Sequence, residues 1–191
     1  MSFNINDFKT ALSQGGARAN LFEVTITTSP VGSLSNFKFL CKTTTIPTSV
    51  IAPISIPFMG RDIKMAGDRT FDTWSTTIIN DENFEIRNIL EKWLNRIKSH
   101  ENVYQFATKT SDYKRTATVT QLSKDGSALK SYKFVNAWPT SLTEIPLDMA
   151  SGEIEEFSCV WNYDYWETDT LLSAELLKKS EEAGGTDQFG L

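Results

Sequence analysis

The stretch "IEEFSCVWNYDYWE", residues 154–167, places Phe157, Cys159, Trp161 and Tyr163 on one side of an extended chain and Ser158, Val160, Asn162 and Asp164 on the other. A period of two is the pleat of a β-strand with one buried face, because successive side chains point to opposite sides. The same period recurs upstream. In "NLFEVTITT" (20–28), Phe22, Val24 and Ile26 alternate with Glu23, Thr25 and Thr27. In "NFKFLCKTTTI" (36–46), Phe37, Phe39 and Cys41 repeat the pattern, and the turn-forming "SPVGSLS" (29–35) predicts that these two runs pair as a hairpin. In "TFDTWSTTII" (70–79), Phe71, Thr73 and Ser75 oppose Asp72, Trp74 and Thr76. Neither face is purely apolar, as expected of a strand whose second face meets a partner or lines a polar space. "YKRTATVTQLS" (113–123) and "ALKSYKFVNAW" (128–138) read as strands joined by a turn at "KDGS" with Gly126 in the tight position. "WPTSLTEIPLDMASGE" (138–153) reads as a loop-rich connection.

One long helix interrupts this alternation. In "NDENFEIRNILEKWLNRIK" (80–98), Ile86, Ile89, Leu90, Trp93, Leu94 and Ile97 recur at steps of three and four and form a broad apolar stripe. Asn80 or Asp81 suits its start, and Arg96 and Lys98 suit the negative end of its dipole. A shorter amphipathic helix is expected over 5–13, with Ile5, Phe8 and Leu12 on one face, ended by "QGGARAN". Pro47, Pro53 and Pro57 exclude 46–57 from a central strand, since proline cannot donate to the ladder, and make it an edge or an extended arm. The expected fold class is mainly β, an antiparallel β-barrel or sandwich with one main flanking α-helix. One domain is expected over 1–167, including the N-terminal arm and helix, followed by a C-terminal extension, 168–191. The part "TDTLLSAELLKK" of that extension reads as helical and the rest as a flexible tail.

Composition narrows the function. A formal charge of −5 and a pI near 5.0 argue against broad electrostatic binding of nucleic acid, though not against a surface past which a polyanion slides. No run approaches the roughly 18 apolar residues of a membrane span, and the N-terminus lacks the basic start and apolar block of a signal peptide. Cys41 and Cys159 each lie in a strand-like run without a CxxC spacing. With His100 as the single histidine, a zinc site lacks ligands, and two reduced core thiols are expected. No cofactor is called for.

The run "PFMGRDIKMAGDRTFDTW", 57–74, is the candidate functional segment. As a catalytic loop it needs a nucleophile with a base, or paired carboxylates in a cleft; Asp62 and Asp68 stand among Arg61, Lys64 and Arg69, which points to ion pairs instead. As a phosphate cradle it matches neither GxxxxGK[ST] nor GxGxxG, and a strand follows it instead of a helix N-terminus. What remains is a hairpin-like projection with glycine hinges, displaying Phe58, Met59, Ile63 and Met65 among alternating charges. Against an identical neighbour these charges pair and the apolar side chains bury; alone, the segment is a solvated hairpin with local ion pairs.

"FMGRDIKMAGDRTFDTWSTTIINDE" resembles the signature region of the tail tube proteins of contractile-tailed, T-even-like bacteriophages. "ARANLFEVTI", "FKFLCKTTTIP" and "WPTSLTEIPLDMASGEIEEFSCVWNYDYWE" follow in the same order, from about Ala17 to Glu167. The resemblance implies a non-enzymatic subunit that forms hexameric rings, stacked into a hollow tube whose joined inner strands line a channel for DNA ejection. It implies as partners the protein itself, a tail sheath, baseplate and tail terminator proteins, a tape measure protein in the lumen and DNA in transit without specific binding, with no membrane. The place implied is the virion tail, assembled in the host cytoplasm. Phe58, Met59, Arg61, Lys64, Gly67, Asp68 and Arg69 fall on the matching segment and are expected at the contact between stacked rings, with Asp164, Tyr165, Trp166 and Glu167 as a second subunit joint. The departures are the longer C-terminus and the segments "SPVGSLSN" and "SHENVYQFATKTS". A tube subunit of a phage-derived contractile injection system that delivers protein, favoured by a non-acidic lumen, and a monomeric binding module or hydrolase are the alternatives.

Overall fold

The computed structural model describes residues 4–12, 15–100 and 109–168. In chain order its elements are α1 (Ile5–Ala11), β1 (Phe22–Ile26), α2 (Phe37–Leu40), β2 (Cys41–Thr44), β3 (Val50–Phe58), β4 (Arg61–Thr70), β5 (Trp74–Ile79), α3 (Glu85–Ile97), α4 (Thr110–Tyr113), β6 (Arg115–Leu122), β7 (Ala128–Leu142), β8 (Glu156–Asn162) and β9 (Tyr165–Thr168). Every pairing is antiparallel. The main sheet runs β1-β6-β7-β8-β5-β2, and β9 adds to β7.

The long strand β7 belongs to two layers. Its first part pairs with β6 and β9, and Trp138–Leu142 pairs with β8. Between them Val135 and Asn136 oppose Thr116 alone, because Arg115 pairs with Ala137 and Ala117 with Phe134. Asn136 takes φ 60°, a left-handed conformation that asparagine tolerates better than most residues. Such a bulge bends the strand, and the result is an open sandwich instead of a closed barrel.

The core fills the space between the layers. Val24, Ala117, Val119 and Phe134 meet Trp74, Ile78, Phe157, Cys159 and Trp161, and α3 covers them with Ile86, Leu90 and Trp93. Trp161 is the hub. Its ring lies 5.6 Å from Trp74, 5.7 Å from Trp93 and 6.2 Å from Phe37. Its Nε1–H donates to Thr76 Oγ1 at 3.0 Å, so the one polar atom of the indole is satisfied inside the core.

The alternation of 154–167 is realised: Phe157, Cys159, Trp161 and Tyr163 are all buried. Three expectations are corrected. The runs 20–28 and 36–46 do not form a hairpin; β1 pairs with β6 and β2 with β5. Alternation reports that a face is buried, not which strand lies beside it. Phe37–Leu40 also coils into the short helix α2, which buries Phe37 and leaves Phe39 exposed. The turn at 29–32 closes locally instead, with Ser29 Oγ–H donating to the carbonyl of Gly32. The second correction concerns the loop-rich 138–153, whose first residues continue β7 through Leu142; Pro139 is tolerated there and is fully buried. The third is the helix start. Asn80 extends the β5–β8 pairing, its N–H donating to Glu155 O at 2.9 Å, and the helix begins at Glu85, whose N–H is accepted by Asp81 Oδ1 at 3.0 Å.

Cys41 and Cys159 are buried, unpaired thiols. Burial pushes the Cys41 thiol up to about 12 and that of Cys159 well above its ordinary value, so neither presents a reactive thiolate at neutral pH. The extension expected over 168–191 lies, apart from Thr168, outside the described residues.

Candidate functional site

β3 and β4 form a two-stranded sheet separate from the sandwich. With nine and ten residues at about 3.3 Å each, the ribbon reaches roughly 30 Å. All of its strand residues are exposed except Gly67, which is partly so. Cross-strand pairs share a face, so Ile54 with Met65, Ile56 with Ile63 and Phe58 with Arg61 define one side. That side is apolar almost to the tip: Val50, Ile54, Ile56, Phe58, Ile63 and Met65 are each between 45% and 58% exposed. The opposite side carries Ile51, Pro53, Ser55 and Pro57 beside Arg69, Ala66, Lys64 and Asp62. The ribbon is therefore amphipathic, and none of the described residues covers its apolar side.

Local chemistry builds this shape. Met59 (φ 46°) and Gly60 (φ 83°) make the reversal, as a two-residue hairpin of type I′ handedness requires. Pro53 and Pro57 survive because neither edge of the ribbon joins the main sheet. Gly67 and Asp68 stand opposite Ala52 alone, a bulge that admits only glycine at its first position. A Cβ on Gly67 would sit 2.5 Å from the carbonyl oxygen of Ala52 and 3.0 Å from Ile54 Cγ1. Gly60 is thus a hinge, whereas Gly67 is a close approach. The base is tied down: Thr48 Oγ1–H donates to Asp72 Oδ2 at 3.0 Å, and Trp166 Nε1–H to Thr48 O at 3.2 Å.

The structure brings Phe58, Met59, Arg61, Lys64, Gly67, Asp68 and Arg69 together on this one hairpin but not on one face. Phe58 and Arg61 end the apolar side, Met59 is the tip at 92% exposure, Lys64 and Arg69 lie on the polar side, and Gly67 and Asp68 form the bulge. Among the described residues, Arg61, Asp62, Lys64, Asp68 and Arg69 make no ion pair with each other or with the sandwich. The local pairs expected of these charges are absent. Sequence reading missed Val50, Ile54 and Ile56, which supply half of the apolar side; their alternation in "VIAPISIPF" was the available signal, obscured by the prolines.

The second group is used inside the subunit. Asp164 accepts hydrogen bonds from Lys114 Nζ at 2.8 and 3.1 Å and from Asn136 Nδ2 at 2.7 Å, which clamps the bulge that bends β7. Tyr165–Thr168 pair with β7, Trp166 packs edge-on against Tyr132, and Glu167 lies 3.7 Å from Lys133. Partial burial pushes the Asp164 carboxyl up. The Lys114 and Asn136 hydrogen bonds and the Lys114 charge outweigh it and hold the carboxyl below its ordinary range. A carboxyl so lowered stabilises the fold fully above its unfolded value of about 3.9 and ceases to do so as pH falls through the folded value. Asp164→Asn should lower Tm at pH 7 by about 2–4 °C, the scale of a partly exposed ion pair with one further hydrogen bond. Thermal melts of both proteins should show that gap closing below about pH 4.

Among the described residues no three His, Cys, Asp or Glu side chains are grouped to hold a metal, and no helix is long and apolar enough to cross a membrane.

The open antiparallel sandwich has counterparts among solved structures. The chain is similar to a protein of the anti-feeding prophage tube-terminating cap (TM-score 0.62, 20% identity, covering 81% of this chain and 91% of that one). It is also similar to one in the sheath–tube complex of an extracellular contractile injection system in its extended state (TM-score 0.59, 16% identity, 89% and 100%). The phage tail tube protein family model matches residues 3–169, and the chain belongs to that family. Its sequence is 37% identical over 166 residues to tail tube protein gp19 of Enterobacteria phage T4, spanning 85% of this chain and 99% of that relative.

Proposed function

We propose that this protein forms six-membered rings that stack into the inner tail tube of a contractile phage, the conduit through which DNA is ejected. The observation that carries the stacking is the uncovered apolar side of the β3–β4 ribbon. A two-stranded ribbon is at best marginally stable alone, and six large half-exposed side chains in one stripe exceed what a monomer gains by displaying. Burying them against a neighbour contributes about 1 kcal/mol each, half the value for a fully exposed side chain. The unpaired charges along the ribbon then set which neighbour fits and in what register.

On this reading Phe58, Met59, Arg61, Lys64, Gly67, Asp68 and Arg69 lie at the contact between rings, and Asp164 to Glu167 at a second joint reached from the outer edge of β9. A sheath surrounds the tube, with a baseplate protein and a terminator at its ends and a tape measure protein in its lumen during growth. The protein is a structural part of the virion, assembled in the host cytoplasm, and performs no catalysis. The similar proteins come from a sheath–tube complex and a tube-terminating cap, which supports the sheath and the terminator as partners. A net charge of −5 suits a channel through which a polyanion passes without stalling. The stronger sequence likeness to a phage protein favours DNA over protein as the cargo.

Negative-stain microscopy of the purified full-length chain is the test. Rings or tubes are expected. Asp68→Arg and Arg69→Glu should each abolish tubes while leaving the thermal melt of the subunit within about 2 °C of wild type, because both side chains are exposed and unpaired. Tubes of normal length from both variants would refute the assignment of these residues.

A further inference from the structure

The two ends of strand β5 carry opposite features. Thr44 leads from β2 toward the ribbon and Trp74 begins β5 after it, so the ribbon leaves and rejoins the sandwich at one pole. At the other end of β5, Asn80, Asp81, Glu82, Phe84, Ile154 and Glu155 line an open depression of about 400 Å³.

That depression is unfinished in a single subunit. Asn80 is nine-tenths buried and its Nδ2 donates to Glu155 Oε2 at 2.9 Å, but its Oδ1 has no hydrogen-bond partner. That oxygen is sealed from solvent, so its cost is borne inside the subunit. Asp81, Glu82 and Glu155 line the same depression, and no cation among the described residues is in ion-pair contact with them. The rim is apolar: Phe84 is held at φ 53°, an unfavourable conformation for an aromatic residue, and Ile154 is 72% exposed. The missing occupant therefore has a cation and an apolar flank.

The ribbon tip has both. Among the described residues Arg61 has no ion-pair partner; it carries five donors and is flanked by Phe58 and by Met59, the latter also in a left-handed conformation. We infer that the ribbon tip of one subunit seats in the Asn80–Glu155 depression of a second copy. Arg61 lies against Glu82 and Asp81, and Phe58 and Met59 pack on Phe84 and Ile154. A contact from one pole to the opposite pole is head-to-tail, the kind that repeats along an axis when its rotation does not close. The inference rests on the ribbon-stacking reading and adds the receiving surface to it.

Charge exchange in the full-length protein tests it, read as pelletable polymer and by microscopy. Arg61→Glu and Glu82→Arg alone should each lower polymer at least about tenfold, since each places like charges together; the double variant should restore it to within about threefold. A second measurement does not depend on those variants folding. Met59→Cys with Ile154→Cys, oxidised, should give a reducible ladder of covalent oligomers, because the natural thiols are buried. If Arg61→Glu blocks assembly while Glu82→Arg assembles as wild type and the cysteine pair gives no ladder, the seat lies elsewhere. The inference then falls and the stacking reading stands. If neither reversal has an effect and no ladder forms, both fall.

Discussion

Ile56→Lys combined with Ile63→Lys is expected to leave a folded monomer that forms no tubes at any salt concentration. The two side chains are direct cross-strand partners at the middle of the ribbon's apolar side, 45% and 52% exposed in the lone subunit. Replacing them removes about 2 kcal/mol of apolar burial per contact. It also asks two ammonium groups to leave water without partners, which costs several kcal/mol more. Rings of six present six such contacts at once, so even a small loss per subunit multiplies into failure of the whole joint. The sandwich does not share the damage, since its core includes no ribbon residue. Sedimentation should therefore show monomer with a Tm within about 2 °C of wild type. Unchanged tube formation would mean that the apolar side faces water in the assembly.

The second large effect lies in the core. Trp161→Ala is expected to cost about 3–5 kcal/mol and lower Tm by about 10 °C or more. The indole is fully buried among Trp74, Trp93 and Phe37, so its removal opens a cavity that three other aromatic rings cannot close together. It also strands Thr76 Oγ1, itself 1% exposed, whose remaining hydrogen-bond partner is the carbonyl of Cys159 at 3.5 Å. Trp161→Phe keeps most of the volume and should cost roughly 1–2 kcal/mol, chiefly the lost hydrogen bond. Denaturant titration of both variants checks the ratio. These two experiments separate the halves of the molecule: one removes assembly without the fold, the other removes the fold and assembly with it.

Much of this architecture is legible in the residues. The faces of β8 follow from Phe157, Cys159 and Trp161, the stripe of α3 from Ile86, Leu90 and Trp93, and the exclusion of β3 from the main sheet from Pro53 and Pro57. Pairing is less legible, because periodicity is a local property and a neighbour is not. Nothing in "NLFEVTITT" says that its partner lies about a hundred residues away, at Thr120 and Val119. The turn at 29–32 satisfies its own hydrogen bonds and so looks the same whether or not a hairpin flanks it. The bend at Asn136 is equally silent, since it depends on Asp164 and Lys114 arriving from elsewhere. The hairpin at 57–74 could be placed from its glycines and charges. Its apolar side could not be drawn in full until the register set Ile54 beside Met65 and Ile56 beside Ile63.

A cryo-EM reconstruction of the polymer formed by the full-length protein tests the central claim most directly. The account requires Ile54, Ile56, Ile63 and Met65 of each ribbon to lie within van der Waals contact of a neighbouring copy, about 4 Å, with the charges around them paired across the joint. A reconstruction in which those four side chains face solvent, or a preparation that stays monomeric at every salt concentration, contradicts it.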